Sequence, residues 1–205
     1  MSNTIHSKAK IYNGSNCENS ILNAYSRLKT NVEFRDSILG EYSYVSSNSI
    51  VNMTEIGKFT SIGPGCYIGL WEHDTDVSTH SFYLYESSGE FVKGYSNYKK
   101  DQIKTFLGND VWVGANVSIK KGVKIGNGAI IGSSAVITKD VEPFSIVVGN
   151  PAKLLKYRYS KEDIELMQKA ARWDLPREKI QQLVDDNLFH DFDSFKTKFL
   201  KNHFS

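Results

Sequence analysis

The feature of this sequence that most limits its fold is an apolar residue at every sixth position. A first series contains Val32, Ile38, Tyr44, Ile50, Ile56, Ile62 and Ile68, and a second, in a new frame, contains Leu107, Val113, Ile119, Ile125, Ile131 and Ile137. Neither an α-helix nor an amphipathic strand has a period of six. The period predicts one short strand and one corner per hexad, wound into a parallel β-helix.

Two other positions of the hexad fit such a coil. The residue after the apolar one is often glycine, which we expect to turn the backbone without a Cβ penalty: Gly57, Gly63, Gly69, Gly108, Gly114, Gly126 and Gly132. Another position holds small residues that suit the narrow corner of a prism: Thr54, Thr60, Cys66, Val111, Val117, Val123, Ala129, Ala135 and Val141. Stacking of coils supplies the core, because one coil cannot bury its apolar face alone.

Length, charge and cysteines exclude several classes of protein. At 205 residues and a net charge of +2, the chain is predicted to be one domain without nucleic acid or an anionic membrane as partner. Cys17 and Cys66 make no disulfide framework, and Cys66 occupies a small-residue position that favours packing. Residues 1–10 lack the apolar segment of a signal peptide and no apolar run could span a bilayer, so we expect a cytoplasmic protein without membrane insertion.

The period divides the chain into three predicted parts. Residues 1–30 are weakly patterned and are predicted to form a lead-in and first cap, and residues 31–158 are predicted to form the β-helix. Residues 70–106 interrupt it with an aromatic-rich segment, which indicates an ordered loop over the prism or over a neighbouring subunit: Trp71, Phe82, Tyr83, Tyr85, Phe91, Tyr95 and Tyr98. Residues 159–205 are predicted to be helical.

The predicted helices have recognisable starts. Ser160 is a good N-cap with Asp163 three residues later, Pro176 suits the start of a second helix, and a short last helix is predicted from Asp193. An open β-helix end exposes unpaired backbone, and these helices are the predicted cover.

Several segments carry a family resemblance: His73-Asp74-Thr75-Asp76-Val77-Ser78-Thr79-His80-Ser81-Phe82, Gly108-Asn109-Asp110-Val111-Trp112-Val113-Gly114, Thr138-Lys139-Asp140-Val141 and Gly149-Asn150-Pro151-Ala152-Lys153. With the hexads they resemble the hexapeptide-repeat acyltransferases. The first segment is similar to that of the xenobiotic acetyltransferases, which act on chloramphenicol and streptogramins, and to that of O-acetyltransferases of bacterial surface polysaccharides. The resemblance implies a mainly β fold, a left-handed parallel β-helix with a long excursion loop and a C-terminal α-helical cap. It also implies acetyl-CoA as acyl donor and a homotrimer with sites between subunits.

Departures from the drug-modifying enzymes bear on the acceptor. Glu72 stands where they have Asn, His80 replaces a Tyr, and Asp74 and Thr75 replace a basic and an apolar residue. These changes favour a sugar hydroxyl of a surface polysaccharide or its precursor over a chloramphenicol- or streptogramin-like drug. Amino-sugar N-acetylation is a further alternative, although nucleotide-sugar enzymes often carry an additional N-terminal domain for which residues 1–30 are too short.

The resemblance places the catalytic histidine of the family at His73. Histidine titrates near neutrality, so it can take the proton of an attacking hydroxyl and return it to the leaving thiolate. Asp76 is expected to orient the ring or bind the acceptor, and His80 to bind the acceptor, act as an alternative base or simply pack. No adjacent nucleophile pattern is present, so direct attack is favoured over an acyl-enzyme.

The resemblance also implies residues for the coenzyme. Its pantetheine arm is expected along the prism, against Ala115, Ser133, Thr138 and Lys139. Lys153 and Lys156 match positions that meet the nucleotide phosphates, for which basic side chains are suited. Lysines at these positions would equally fit an ordinary solvated face.

Two other functions use repeats of this kind. A metal hydratase like the γ-type carbonic anhydrases needs three histidines from neighbouring coils and subunits, whereas no hexad position here carries His, so we expect no metal. A non-catalytic trimeric scaffold would explain the repeats but would give no reason for residues 73–82 or for residues 150–153.

Overall fold

The computed structural model describes residues 2–70, 72–73, 75–94 and 103–200. Short strands dominate the described part of the chain: β1 (Thr4–Ile5), β2 (Lys10–Ile11), β3 (Asn16–Glu18), β4 (Ile21–Leu22), β5 (Arg27–Leu28), β6 (Glu33–Arg35), β7 (Ile38–Leu39), β8 (Tyr44–Val45), β9 (Ile50–Asn52), β10 (Thr54–Ile56), β11 (Ser61–Ile62), β12 (Tyr67–Leu70), β13 (Thr105–Leu107), β14 (Trp112–Val113), β15 (Ser118–Lys120), β16 (Lys124–Ile125), β17 (Ile130–Ile131), β18 (Val136–Ile137), β19 (Ser145–Val148) and β20 (Lys153–Tyr157).

Strands β1–β18 wind into successive coils of three strands each. Within this series, each strand pairs in parallel with the strand three places later in the chain, which lies in the next coil. The first sheet has the order β1-β4-β7-β10-β13-β16, the second β2-β5-β8-β11-β14-β17-β19-β20, and the third β3-β6-β9-β12-β15-β18. Only β20 runs antiparallel, against β19. The predicted left-handed parallel β-helix is confirmed, with the second sheet closed by a hairpin.

The coils have two lengths. Before the excursion, strand partners lie seventeen residues apart, since Ile21 pairs with Ile38. After it they lie eighteen apart, since Trp112 pairs with Ile130, except in the last coil, where Ile130 pairs with Ile146. Seventeen is not a multiple of six, so the apolar frame moves by one residue in each early coil. This corrects the predicted frame: the core contains Leu39, Val45 and Val51, while the residues that the period selected are only half-buried, namely Ile38, Tyr44 and Ile50.

Strands β1–β5 lie within residues 2–30 and belong to the same three sheets as the later strands. The β-helix therefore begins before residue 31, where the sequence pattern placed its start. The early coils were missed because coils of seventeen residues break the period of six: the buried apolar residues Leu22, Leu28, Phe34 and Leu39 are spaced six, six and five residues apart. Polar residues run along one corner of the coils. Ser43 Oγ accepts a hydrogen bond from the backbone N–H of Thr60 (2.8 Å), and Thr60 Oγ1 accepts one from Val111 (3.2 Å).

From Ile56 onward the predicted core is confirmed: both the apolar positions and the small-residue positions, including Cys66 and Ala135, are buried. The role predicted for the glycines is wrong at most positions, because among those seven only Gly69 has a positive φ. Gly63 shows the actual constraint, since a Cβ there would lie 2.7 Å from the carbonyl carbon of Gly114 in the next coil. Glycine is therefore needed at this position for close approach between coils.

Helices follow the last coil, as predicted. They are α1 (Lys161–Ala170), a 3₁₀ turn (Arg172–Asp174), α2 (Arg177–Asp185), α3 (Phe192–Phe195) and a π-helical turn (Lys196–Leu200). Ser160 caps α1 by accepting a hydrogen bond from the N–H of Asp163 (3.2 Å). Their core contains Met167, Trp173, Leu183 and Phe195, together with Phe144 of the last coil.

The helices pack along the edge between the first and second sheets. Tyr25, Tyr42 and Phe59 stack there on successive coils, with neighbouring ring centroids 5.0 and 4.8 Å apart. Arg177 of α2 donates a hydrogen bond to the hydroxyl of Tyr42 (2.9 Å), and Asp174 pairs with Lys58 (3.2 Å). The helices therefore contact the side of the prism, whereas the sequence predicts a cover over its open end.

Candidate active site

The excursion leaves the third sheet at a β-bulge in β12. The pairing of β12 with β15 shifts between Ile68 and Leu70, and Gly69 between them has φ +68°. A Cβ on Gly69 would collide with the carbonyl oxygen of Asn52 in the coil below, so only glycine fits this bulge. The chain leaves the prism immediately afterwards and reaches His73 within four residues.

His73 has a defined ring orientation. Its Nδ1 lies 2.5 Å from the carbonyl oxygen of Thr79, and a carbonyl oxygen can only accept. Nδ1 must therefore carry a hydrogen, which leaves the lone pair of the neutral ring on Nε2. The side chain is exposed. This arrangement fits a base that takes a proton through Nε2 from an incoming molecule.

His80 has the opposite tautomer. Its Nδ1 accepts a hydrogen bond from the backbone N–H of Phe82 (3.1 Å) and caps a 3₁₀ turn, Ser81–Tyr83. In the neutral ring the hydrogen then lies on Nε2, which can donate but not accept. His80 thus fits a structural or acceptor-binding role better than that of a second base. Asp76 lies exposed between the two histidines in sequence, and Asp74 falls outside the described residues.

A groove of about 400 Å³ adjoins the start of the excursion, where β12, β15 and β18 end at the same edge of the prism. Its polar lining includes Glu72, Lys120, Thr138, Lys139 and Asp140. Two of the predicted coenzyme residues, Thr138 and Lys139, therefore lie in one groove with Glu72, the residue before His73. The structure thus brings the predicted coenzyme residues close to the segment that carries the predicted base.

Ala115 and Ser133 lie at the opposite edge of the third sheet, before β15 and β18. The hydroxyl of Ser133 accepts a hydrogen bond from the N–H of Ala115 (3.2 Å), and the carbonyl of Ala115 accepts one from the N–H of Ser134. Both backbone groups of Ala115 are thus used between coils. The carbonyl of Gly149 also bonds to the N–H of Val136, which brings the turn before Lys153 to this edge.

Lys153 and Lys156 are exposed on β20, where they pair with Val148 and Ile146 of β19. The side chain of the nearby Arg158, in contrast, is used in contacts within the fold. Its guanidinium donates to the carbonyl of Gly128 (2.7 Å) and lies 3.6 Å from Asp110. Only the two lysines therefore stay available on this strand for an anionic ligand.

Residues 72–73, 75–94 and 103–104 of the excursion are described, and none of their side chains is buried. Phe82 makes edge contacts with Tyr83 and Phe91 at centroid distances of 5.4 and 5.3 Å, while Ser81 and Ser88 share a hydrogen bond (3.0 Å). Trp71, Tyr95 and Tyr98, which also suggested order, lie outside the described residues. A loop with internal order and an exposed aromatic residue, Phe91, has apolar surface left for another molecule to cover.

Other features of the described chain limit the chemistry. Cys66 is fully buried, and burial raises the pKa of its thiol, so it is not an activated nucleophile. Among the residues that the structure covers, no three His, Cys, Asp or Glu side chains cluster as a metal site would require. No helix in the described part of the chain is long and apolar enough to cross a membrane.

Comparison with known proteins agrees with this architecture. Residues 104–139 match the family model described as "Bacterial transferase hexapeptide (six repeats)". A chloramphenicol acetyltransferase of Escherichia coli is 40% identical over 138 residues, which cover 65% of each protein. A probable macrolide acetyltransferase of Lysinibacillus sphaericus is 36% identical over 151 residues, covering 72% of this chain and 81% of that protein.

Among solved structures, a maltose O-acetyltransferase from Clostridium difficile shares the fold with a TM-score of 0.54, at 24% identity, over 70% of this chain and 71% of that one. The coils, the single long excursion and the trailing helices define a parallel β-helix of the hexapeptide-repeat class. The chain belongs to the hexapeptide-repeat acyltransferases, in the subgroup that contains the xenobiotic acetyltransferases.

Proposed function

We propose that this protein is an acetyl-CoA-dependent O-acetyltransferase with a sugar hydroxyl of a bacterial surface polysaccharide, or of its precursor, as acceptor. The observation that carries the proposal is the contact between His73 Nδ1 and the carbonyl of Thr79 (2.5 Å). It fixes the tautomer that a general base needs, on an exposed loop beside a groove.

In this proposal acetyl-CoA supplies the acetyl group as a thioester. His73 Nε2 accepts the proton of the acceptor hydroxyl as the oxygen bonds to the acetyl carbonyl carbon. When the carbon–sulfur bond breaks, the imidazolium returns that proton to the thiolate, so the ring ends the cycle neutral. The carbonyl of Thr79 holds the ring in this orientation throughout the cycle, as an acceptor at Nδ1 does in other acyl-transfer enzymes.

The described residues fit a long polar donor. The groove offers the hydroxyl of Thr138 and the ammonium of Lys139 near the reacting end, and the far edge of the same sheet offers the hydroxyl of Ser133. Lys153 and Lys156 would meet the phosphates as point charges. Asp76 and His80 are left to contact the acceptor.

The charged and hydroxyl groups of the groove support a sugar over a drug. Glu72, Lys120, Thr138, Lys139 and Asp140 bring carboxylate, ammonium and hydroxyl groups to a lining that is otherwise largely apolar, and such groups pair with the several hydroxyls of a sugar. The alternative acceptor, a chloramphenicol- or macrolide-like drug, is favoured by the names of the similar proteins. The proposal includes a homotrimer, in which the exposed Phe91 of the excursion would face a neighbouring subunit.

The test is acetyl transfer by purified protein, measured as release of the CoA thiol with acetyl-CoA and a panel of acceptors: neutral hexoses, uronic acids, amino sugars, oligosaccharides, chloramphenicol and a streptogramin. We expect turnover with a sugar hydroxyl and a fall of about 100-fold or more in kcat for His73→Ala, the range of general-base catalysis. His80→Ala, which removes a histidine from the same loop, is the comparison: as an acceptor contact it should raise KM for the acceptor and retain kcat within about tenfold.

Preference for a drug would replace the sugar as acceptor, and acetylation of an amino group would replace O- by N-transfer. Binding of acetyl-CoA is measured separately as thermal stabilisation, because a ligand held only by the folded state raises Tm. His73→Ala should keep that rise. Absence of both turnover and stabilisation would favour a scaffold and overturn the proposal.

A further inference from the structure

We infer that Glu72 is a positioning residue that fixes His73 through an ion pair with Lys120, an inference that rests on the proposed function. The carboxylate of Glu72 lies 3.4 Å from the ammonium of Lys120, with both side chains about half exposed. Glu72 precedes His73 directly, so the pair acts on the backbone from which the histidine projects.

The fold brings these two charges together through the bulge in β12. Lys120 ends β15 and is the sheet partner of Leu70, which stands two residues before Glu72. The register shift at Gly69 turns the departing chain toward the coil that carries Lys120. The ion pair therefore joins the first residues of the excursion to a rigid strand of the next coil, across one wall of the groove.

His73 is then restrained at two points. The carbonyl of Thr79 holds the ring, and the Glu72–Lys120 pair holds the chain just before it. A half-exposed ion pair contributes little to global stability. Its effect on a catalytic group is different, because small displacements from the reactive geometry lower rates steeply. The pair should therefore influence turnover more than folding.

The test compares Glu72→Gln and Lys120→Gln with the exchange variant E72K/K120E. We expect each single variant to lower kcat by about tenfold, with KM for acetyl-CoA changed by less than about twofold, since geometry and not binding is lost. The exchange variant restores the attraction with reversed sign and should recover most of kcat. Glu33→Gln is the matched control, because Glu33 pairs with Arg35 at 3.2 Å on the same sheet at similar exposure.

A second readout is independent of turnover: the ¹⁵N chemical shifts of the His73 ring report which nitrogen carries the hydrogen. We expect the Nδ1–H form in the wild type and in Glu33→Gln, and a mixture of tautomers in Glu72→Gln. Equal kcat and equal ring shifts in Glu72→Gln and Glu33→Gln would overturn the inference. If the wild type acetylates no acceptor, the proposed function fails by itself, and the ring shifts alone decide the role of Glu72.

Discussion

Asp110 receives the guanidinium of Arg172 at 2.6 Å, which ties a corner of the β-helix to the helical segment. Asp110 follows β13 in the left-handed conformation (φ +56°) and also faces Arg158 at 3.6 Å. The three side chains are only 15–23% exposed. The carboxylate of Asp110 is therefore the counter-charge of two largely buried guanidinium groups. The contact between the β-helix and the helical segment depends on this carboxylate.

Asp110→Asn should destabilise the protein by about 2 kcal/mol, because two mostly buried cations lose their counter-charge. Urea unfolding at a fixed protein concentration measures the change. Asp174→Asn is the control: its pair with Lys58 involves a side chain 61% exposed, and it should cost less than about 1 kcal/mol. Equal losses for the two variants would contradict the importance assigned to Asp110.

Ser43→Ala tests the hydroxyl column of the early coils. The change leaves the buried N–H of Thr60 without an acceptor and also removes the bond from the Ser43 hydroxyl to the carbonyl of Gly57 (2.6 Å). We expect a loss of about 1–3 kcal/mol in the free energy of unfolding. Ser61→Ala, on the outer face of the neighbouring strand, should change it by less than about 0.5 kcal/mol.

The two cysteines should differ in reactivity. Burial raises the pKa of both thiols, but Cys66 is fully buried whereas Cys17 is half-buried. A thiol reagent added to the native protein should therefore modify Cys17 first and reach Cys66 only on unfolding, as peptide mapping would reveal. Cys66→Ala should keep full activity, and loss of turnover in a folded Cys66→Ala protein would show that the thiol has a chemical role.

Asp191 should make the start of α3 sensitive to acid. Hydrogen bonds from the side chain of Ser194, from its N–H (2.9 Å) and from the N–H of Asp193 hold the pKa of this carboxyl below the ordinary value. A lowered folded-state pKa stabilises the fold above the ordinary pKa of aspartate, and that contribution disappears as pH falls through the lowered value. The stability of the wild type should therefore decline more between pH 5 and pH 2 than that of Asp191→Asn, as urea unfolding at a series of pH values would measure. Parallel curves would exclude this cap as a source of acid sensitivity.

The sequence predicts the β-helix because stacking demands an apolar residue at a fixed spacing, and after Ile56 that spacing is regular. It misplaces the early core because coils of seventeen residues move the frame: Leu39, and not Ile38, faces inward. The sequence predicts a lead-in over residues 1–30 for the same reason, because seventeen-residue coils hide the regular spacing of inward residues such as Leu22 and Leu28.

The candidate site is likewise predictable from the sequence only in part. His73 is recognisable from its segment, whereas its tautomer depends on the carbonyl of Thr79, which is a backbone group and leaves no mark in the sequence. Arg158 follows the two predicted phosphate ligands closely in sequence, but its guanidinium faces Asp110. Glu72 gained significance only when Lys120, distant in sequence, proved to be its neighbour.

The excursion interrupts the chain but not the stack. Thr54 of β10 pairs directly with Thr105 of β13, as though residues 71–104 had been spliced into one corner of an otherwise continuous solenoid. Under the proposed function, the scaffold and the segment that recognises the acceptor would therefore be separate parts of the chain. Exchange of this one segment would then change the acceptor. The coils, and the face of the third sheet proposed for the donor, would stay the same.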